Sequence, residues 1–244
     1  MTTPSYSELV AAVRREGEAI ATAGGADPDV HVPTCGAWSM RDLLVHVGRV
    51  YRRAAELVGE RISTPLDYPP EPADDVDAVE HLRDALDELV EALTAADANT
   101  PVWNWSDTAP HNAAFWARRM AHESAVHRYD AQRAQGLAQP IDADLAEDGM
   151  DELVDLLLPR VVVRDEPTLP EAVFAFVATD TGEWVVRSGP EGVVREATAK
   201  NADVAVTGPA SSVLLAAYGR VKWASLEVSG DEQLLAQWSE AFRF

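Results

Sequence analysis

Cysteine is nearly absent: Cys35 is alone among 244 residues. That excludes an intrachain disulfide and any cysteine-rich zinc site. Positive charge is also scarce, with 20 Lys and Arg against 41 Asp and Glu, a formal net charge of -21. Residues 1–144 carry 12 basic and 24 acidic side chains, and residues 145–244 carry 8 and 17, so both halves share the deficit. Binding to duplex nucleic acid needs a basic surface to replace counterions, and an anionic membrane surface makes a similar demand; neither partner is expected. Apolar runs fall far short of the roughly 20 residues of a membrane span. The opening residues lack the basic stretch and apolar core of a secretory signal. The expectation is a soluble, cytoplasmic protein whose partners are small molecules.

What is present reads as two halves. The first half has four helical stretches. One runs from Ser5 to about Ala23, with Leu9, Val10, Val13 and Ile20 at helical spacing. The second opens at Ser39, an N-cap followed by the acidic Asp42, and carries Leu43, Leu44, Val47, Val50 and Tyr51. A loop rich in proline (Pro65, Pro69, Pro70, Pro72) leads to a third helix, expected to start at Asp74-Asp75. A fourth is expected from near Pro110 to Gln135, stopped by Gly136. Residues 136–144 read as a linker with Pro140 as breaker. Beyond it a helix is expected from about Leu145 to Leu158, ended by Pro159. Short β-rich runs then flank the turn Asp180-Thr181-Gly182, and helices are expected over Ala210–Tyr218 and Asp231–Phe242. The predicted fold class is α+β, with a four-helix bundle at 1–140 and a small α+β domain at 145–244.

The chemistry-bearing residues gather in the fourth helix, at His122-Glu123-Ser124-Ala125-Val126-His127-Arg128-Tyr129-Asp130. The zinc-protease signature needs histidines four apart. Here they are five apart and point roughly 140° from each other, so one face cannot use both. Glu123 and His127 are four apart, roughly 40° around the helix, and can chelate one ion together. His46, on an apolar stretch of the second helix, is the best-placed third ligand. Two histidines and a carboxylate make a catalytic zinc set, and non-haem iron uses the same trio. Blander readings stand beside this one. Glu123 and His127 could be a surface ion pair, and His46 a hydrogen-bonded core histidine. His122 reads as a surface or supporting residue. Asp130 could orient His127 or pair with Arg128 or Arg133. Cys35 reads as a buried small hydrophobe with no activating partner. Trp38, Trp103, Trp105 and Trp116 read as core or cleft walls.

The stretches Trp38-Ser39-Met40-Arg41-Asp42-Leu43-Leu44-Val45-His46-Val47 and Phe115-Trp116-Ala117-Arg118-Arg119-Met120-Ala121-His122-Glu123-Ser124-Ala125-Val126-His127-Arg128-Tyr129-Asp130-Ala131 resemble the second- and fourth-helix motifs of the mycothiol-dependent maleylpyruvate isomerase family. The resemblance extends over nearly the whole chain. It implies a DinB-like metal-binding bundle joined to a domain similar to sterol carrier proteins. It also implies a divalent metal, usually zinc, on His46, Glu123 and His127, with mycothiol as the thiol cosubstrate. The family places an arginine of its C-terminal domain in the active cleft, and Gly219-Arg220 is the match. Arg220 could instead be a solvated cation complementing a helix C-terminus. The implied activity is addition of a metal-activated thiol to an electrophile, as an S-transferase or a cis–trans isomerase. A metal-dependent hydrolase on the same bundle and a non-catalytic small-molecule binding protein are the alternatives.

Overall fold

The computed structural model describes residues 3–198 and 201–244. The chain divides into two compact units, one ending at Gln139 and the other beginning at Pro140.

The first unit is a bundle of four helices: α1 (Tyr6–Gly24), α2 (Met40–Gly59), α3 (Ala78–Ala95) and α4 (Ala113–Ala134). Each start is set by a side chain that satisfies an otherwise orphaned N–H. Ser5 with Glu8, and Ser39 with Asp42, form reciprocal capping boxes on α1 and α2. Helix α3 begins three residues later than the pair Asp74-Asp75 implies. It is Asp77 whose carboxylate accepts from Val79 and Glu80, while Arg41 holds the preceding segment by its Ala73 and Val76 carbonyls. Asn112, not Pro110, caps α4 by accepting from the Phe115 N–H.

Apolar faces meet in a core of Val13, Ile20, Leu43, Leu44, Val47, Tyr51, Leu57, Leu82, Leu86 and Leu89, all fully buried. Helix α2 packs so closely on α3 that a Cβ at Gly48 would stand 2.6 Å from the His81 ring, so only glycine fits there. Two polar contacts fix α4. Ser124 donates to the Met120 carbonyl at 2.6 Å, which leaves the Tyr51 hydroxyl to donate to Ser124 Oγ, also at 2.6 Å. Burial raises the Tyr51 pKa well above its ordinary value, so that group stays a neutral donor. Arg128 of α4 donates from Nε to Glu16 of α1 at 2.7 Å, both side chains being buried.

The second unit opens with Ile141, whose N–H donates to Ser211 Oγ. The helix expected to end at Pro159 continues through it: α5 (Ala143–Glu152) passes by a π turn (Leu153–Leu157) into α6 (Leu158–Asp165). Proline lacks an N–H and clashes with the carbonyl four residues back. The widened turn, with Leu158 N–H bonding the Leu153 carbonyl, shifts the register just ahead of the ring. Five strands follow: β1 (Ala172–Ala178), β2 (Glu183–Gly189), β3 (Gly192–Glu196), β4 (Val204–Gly208) and β5 (Glu227–Gly230), in the order β3-β2-β1-β4-β5. Strands β1 and β4 run parallel and the other pairs antiparallel. Helices α7 (Ala210–Ala217) and α8 (Gln233–Ala241) complete the unit. Its core is aromatic: the Trp238 ring lies 4.9 Å from both Phe174 and Phe176 and 4.7 Å from Phe242. Bundle followed by small mixed sheet is an α+β architecture. No helix among the described residues is long and apolar enough to cross a membrane.

Candidate metal centre

Helix α2 presents His46, and α4 presents Glu123 and His127 one turn apart. The three side chains meet. His46 Nε2 lies 3.4 Å from Glu123 Oε1, and His127 Nε2 lies 3.3 Å from the same oxygen. The imidazole rings are edge to face, 5.3 Å between centroids. The spacing suits a metal: bond lengths of 2.0–2.1 Å in a tetrahedral set imply ligand–ligand edges of about 3.3–3.4 Å.

Neighbouring side chains hold the trio. The His127 Nδ1–H donates to Asp130 Oδ2 at 3.0 Å, and Asp130 is fully buried. That bond fixes the tautomer and leaves the Nε2 lone pair facing Glu123 and His46. Glu123 divides its two oxygens. Oε1 faces the histidines, and Oε2 accepts from the Arg119 guanidinium at 2.6 Å. The Trp38 ring stacks obliquely on His46, 4.9 Å between centroids, and the His46 side chain keeps 36% of its surface exposed. The open side of the trio is therefore the His46 side.

The electrostatics of the metal-free cluster follow. Burial acts to raise the Glu123 pKa, yet hydrogen bonds from His127 and His46 and the nearby positive charges hold it well below the carboxylate range. Burial acts to lower the His127 pKa, but hydrogen bonds to Asp130, Cys35 and Glu123 raise it well above the ordinary histidine value.

Among the described residues, the groups of possible metal donors are His46–Glu123–His127 and Cys35–His127–Asp130. His122 belongs to neither, and it is buried rather than on the surface. Arg128, one possible partner for Asp130, pairs with Glu16 instead. Trp103 and Trp116 flank the Arg53 guanidinium, whereas Trp38 lies against the His46 ring. Arg220, in the second unit, is half-buried and donates from Nη1 to the Tyr218 and Phe244 carbonyls at 2.9 and 2.6 Å.

Two supporting residues escaped the sequence reading. Arg119 stands four residues before Glu123 on the same helix face, a spacing that signals the pair. Cys35, read as inert, places Sγ 3.4 Å from Asp130 Oδ2. Those two residues are 95 positions apart, and no local pattern announces their contact.

Comparison with known proteins adds the following. Residues 9–132 match the family model described as the mycothiol maleylpyruvate isomerase N-terminal domain, and residues 144–237 match the MDMPI C-terminal domain. No curated protein matches the chain. Two solved structures are similar in fold. The crystal structure of the mycothiol-dependent maleylpyruvate isomerase has a TM-score of 0.65 at 13% identity, and that of its histidine-to-alanine mutant has 0.65 at 12%. Each match covers 94% of this chain and 96% of the other.

Proposed function

The chain belongs to the mycothiol maleylpyruvate isomerase family, and from that premise we propose that it is a zinc-dependent enzyme. In this reading it activates the thiol of mycothiol for addition to an electrophilic small molecule, either as a cis–trans isomerase or as an S-transferase. The observation that carries the reading is the convergence of two imidazole nitrogens and one carboxylate oxygen with edges of 3.3 and 3.4 Å. A divalent ion held by two neutral imidazoles and one carboxylate supplies a single net positive charge and a free coordination position, which together lower the pKa of a bound thiol.

The chain's own residues do the rest. Asp130, bonded to His127 Nδ1, would aim Nε2 at the ion. Arg119 holds Glu123 Oε2, which restrains the carboxylate to binding through Oε1 alone. Trp38 packs beside His46 and supplies an apolar wall at the open side, where a thiolate would be poorly hydrated and more nucleophilic. Arg220 is proposed to hold a substrate carboxylate through its planar fork. Its bonds to the Tyr218 and Phe244 carbonyls orient the guanidinium. The expected chemistry conserves the thiol in the isomerase: sulfur adds to a conjugated double bond, the new single bond rotates, and elimination returns the thiol. In the transferase the carbon–sulfur bond persists in the product.

The test is metal analysis of the purified chain together with turnover assays run with and without mycothiol. The wild type should hold one zinc per chain. His46→Ala, Glu123→Ala and His127→Ala should each lose most of it, while His122→Ala should keep it. Turnover that survives removal of the thiol would point to a hydrolase and overturn the thiol mechanism. Zinc retained in His46→Ala would overturn the ligand set.

A further inference from the structure

The residues between α1 and α2 form a tight turn. Val32 N–H donates to the Trp38 carbonyl at 2.8 Å, Cys35 N–H to Val32 at 3.0 Å and Trp38 N–H to Cys35 at 3.3 Å. Gly36 takes φ +66 at the corner, a conformation that suits glycine. The turn thereby fixes the Cβ direction of Cys35, and the thiol reaches α4, where Sγ lies 3.4 Å from Asp130 Oδ2. That oxygen is also the acceptor of the His127 Nδ1–H at 3.0 Å. One buried carboxylate oxygen therefore receives a thiol from the turn and an imidazole from the helix. Cys35, Asp130 and His127 present their donor atoms within 4.8 Å of one another.

We propose that Cys35 is a positioning residue for the metal centre. Its S–H donates to Asp130 Oδ2 and holds that carboxylate in the orientation that aims His127 Nε2 at the ion. The inference rests on the metal reading above. The physical reason is the number of lone pairs. A carboxylate oxygen accepts along two directions. The imidazole and a donor arriving from a different backbone segment together restrain that oxygen from two sides. The thiol is a weak donor, so it contributes direction more than strength. The bond also joins the turn that carries Trp38, the wall beside His46, to the helix that carries the other two ligands.

The experiment measures zinc affinity of the full chain by competition with a chromogenic chelator, together with the visible spectrum of the cobalt-loaded protein. Outer partners of metal-bound histidines typically govern affinity by 10–100-fold. For the weaker thiol, a loss of about threefold to tenfold is expected in Cys35→Ala. Its cobalt bands should shift relative to wild type, and its melting temperature should stay close to wild type. Cys35→Ser, which restores a donor on a shorter bond, should recover part of the affinity and most of the spectrum. Asp130→Asn should lose more than Cys35→Ala, because the carboxylate bonds the imidazole directly. Wild-type affinity and an unshifted spectrum in Cys35→Ala would overturn the proposal, leaving the thiol as space filling. Equal losses in the Ala and Ser variants would also overturn it, since a donor would then not suffice. If His46→Ala bound zinc as the wild type does, the metal reading itself would fall, an outcome distinct from either of these.

Discussion

The buried ion pair between Glu16 and Arg128 offers a sharp test of what holds α4, and with it the candidate metal centre, in place. Both side chains are 6% exposed and the Nε–Oε2 distance is 2.7 Å. Arg128 Nη1 has two further acceptors, Gln132 Oε1 at 2.9 Å and the Gln139 carbonyl at 2.7 Å. Glu16 Oε1 also meets Arg15, whose side chain is 52% exposed. Glu16→Gln keeps the shape and an acceptor but removes the carboxylate charge from the buried pair. Removing one partner of a buried pair costs about 3–5 kcal/mol. The neutral acceptors on Nη1 place this case at the lower end, about 3 kcal/mol. For a unit of this size each kcal/mol moves the midpoint by roughly 3 °C, so the melting temperature should drop by roughly 10 °C. Replacing both residues by methionine removes the charge and the desolvation together, and such swaps are often neutral or stabilising. Calorimetry of Glu16→Met, Arg128→Met and the double methionine variant gives a double-mutant cycle, with Glu16→Gln measured beside it. Single variants within about 1 kcal/mol of wild type, or losses that simply add in the double variant, would refute the reasoning. Zinc uptake at 25 °C should survive in the double variant, because Arg128 points about 100° away from His127 around the helix.

Two further outcomes are expected. Burial lowers the His127 pKa, yet bonds to Asp130, Cys35 and Glu123 raise it well above its ordinary value. Zinc competes with a proton for that ring, so affinity should fall as pH is lowered and rise until pH passes the raised His127 pKa. Calorimetric titrations in buffers of different ionisation enthalpy should read about one proton released per ion near pH 7; no release would show that His127 is neutral beforehand. Arg220→Ala should leave zinc content unchanged and depress turnover of a carboxylate-bearing substrate, with Arg220→Lys restoring it only in part because the planar fork is lost. Full activity in Arg220→Ala would remove that residue from the mechanism.

What the sequence made legible was local. The spacing of Leu9, Val10, Val13 and Ile20 announced the first helix, and Ser39 with the acidic Asp42 announced the start of the second. The 40° separation of Glu123 from His127 singled out the pair, and the 140° separation of His122 set that residue apart. Errors arose where local signals competed. Asp74, Asp75 and Asp77 are all competent caps, and the choice among them falls to Arg41, which pins the Ala73 and Val76 carbonyls from another helix. Pro159 is a helix breaker by its own chemistry, yet the π turn ahead of it absorbs the missing hydrogen bond. Arg128 pairs with Glu16, 112 residues away, a contact that no local pattern announced. Proximity in sequence ranks partners only on one helix face; between helices, burial decides.

The same distinction explains why a chain at -21 can present a cationic centre. The charges that matter to an ion on His46, Glu123 and His127 are those in contact with its ligands, since distant surface carboxylates are screened over a Debye length of about 8–10 Å. Those contacts are balanced: Arg119 on Glu123 Oε2 and Asp130 on His127 Nδ1 carry opposite unit charges, and both are buried. Their contributions largely cancel at the open position, which leaves the single positive charge that a divalent ion and one carboxylate would produce together. A thiolate neutralises that charge; a second carboxylate in place of Arg119 would have spent it. Arg119→Glu is therefore the substitution that separates the two levels of charge. It alters the overall charge by only two units, yet should abolish thiol activation by turning an electropositive position into an electronegative one.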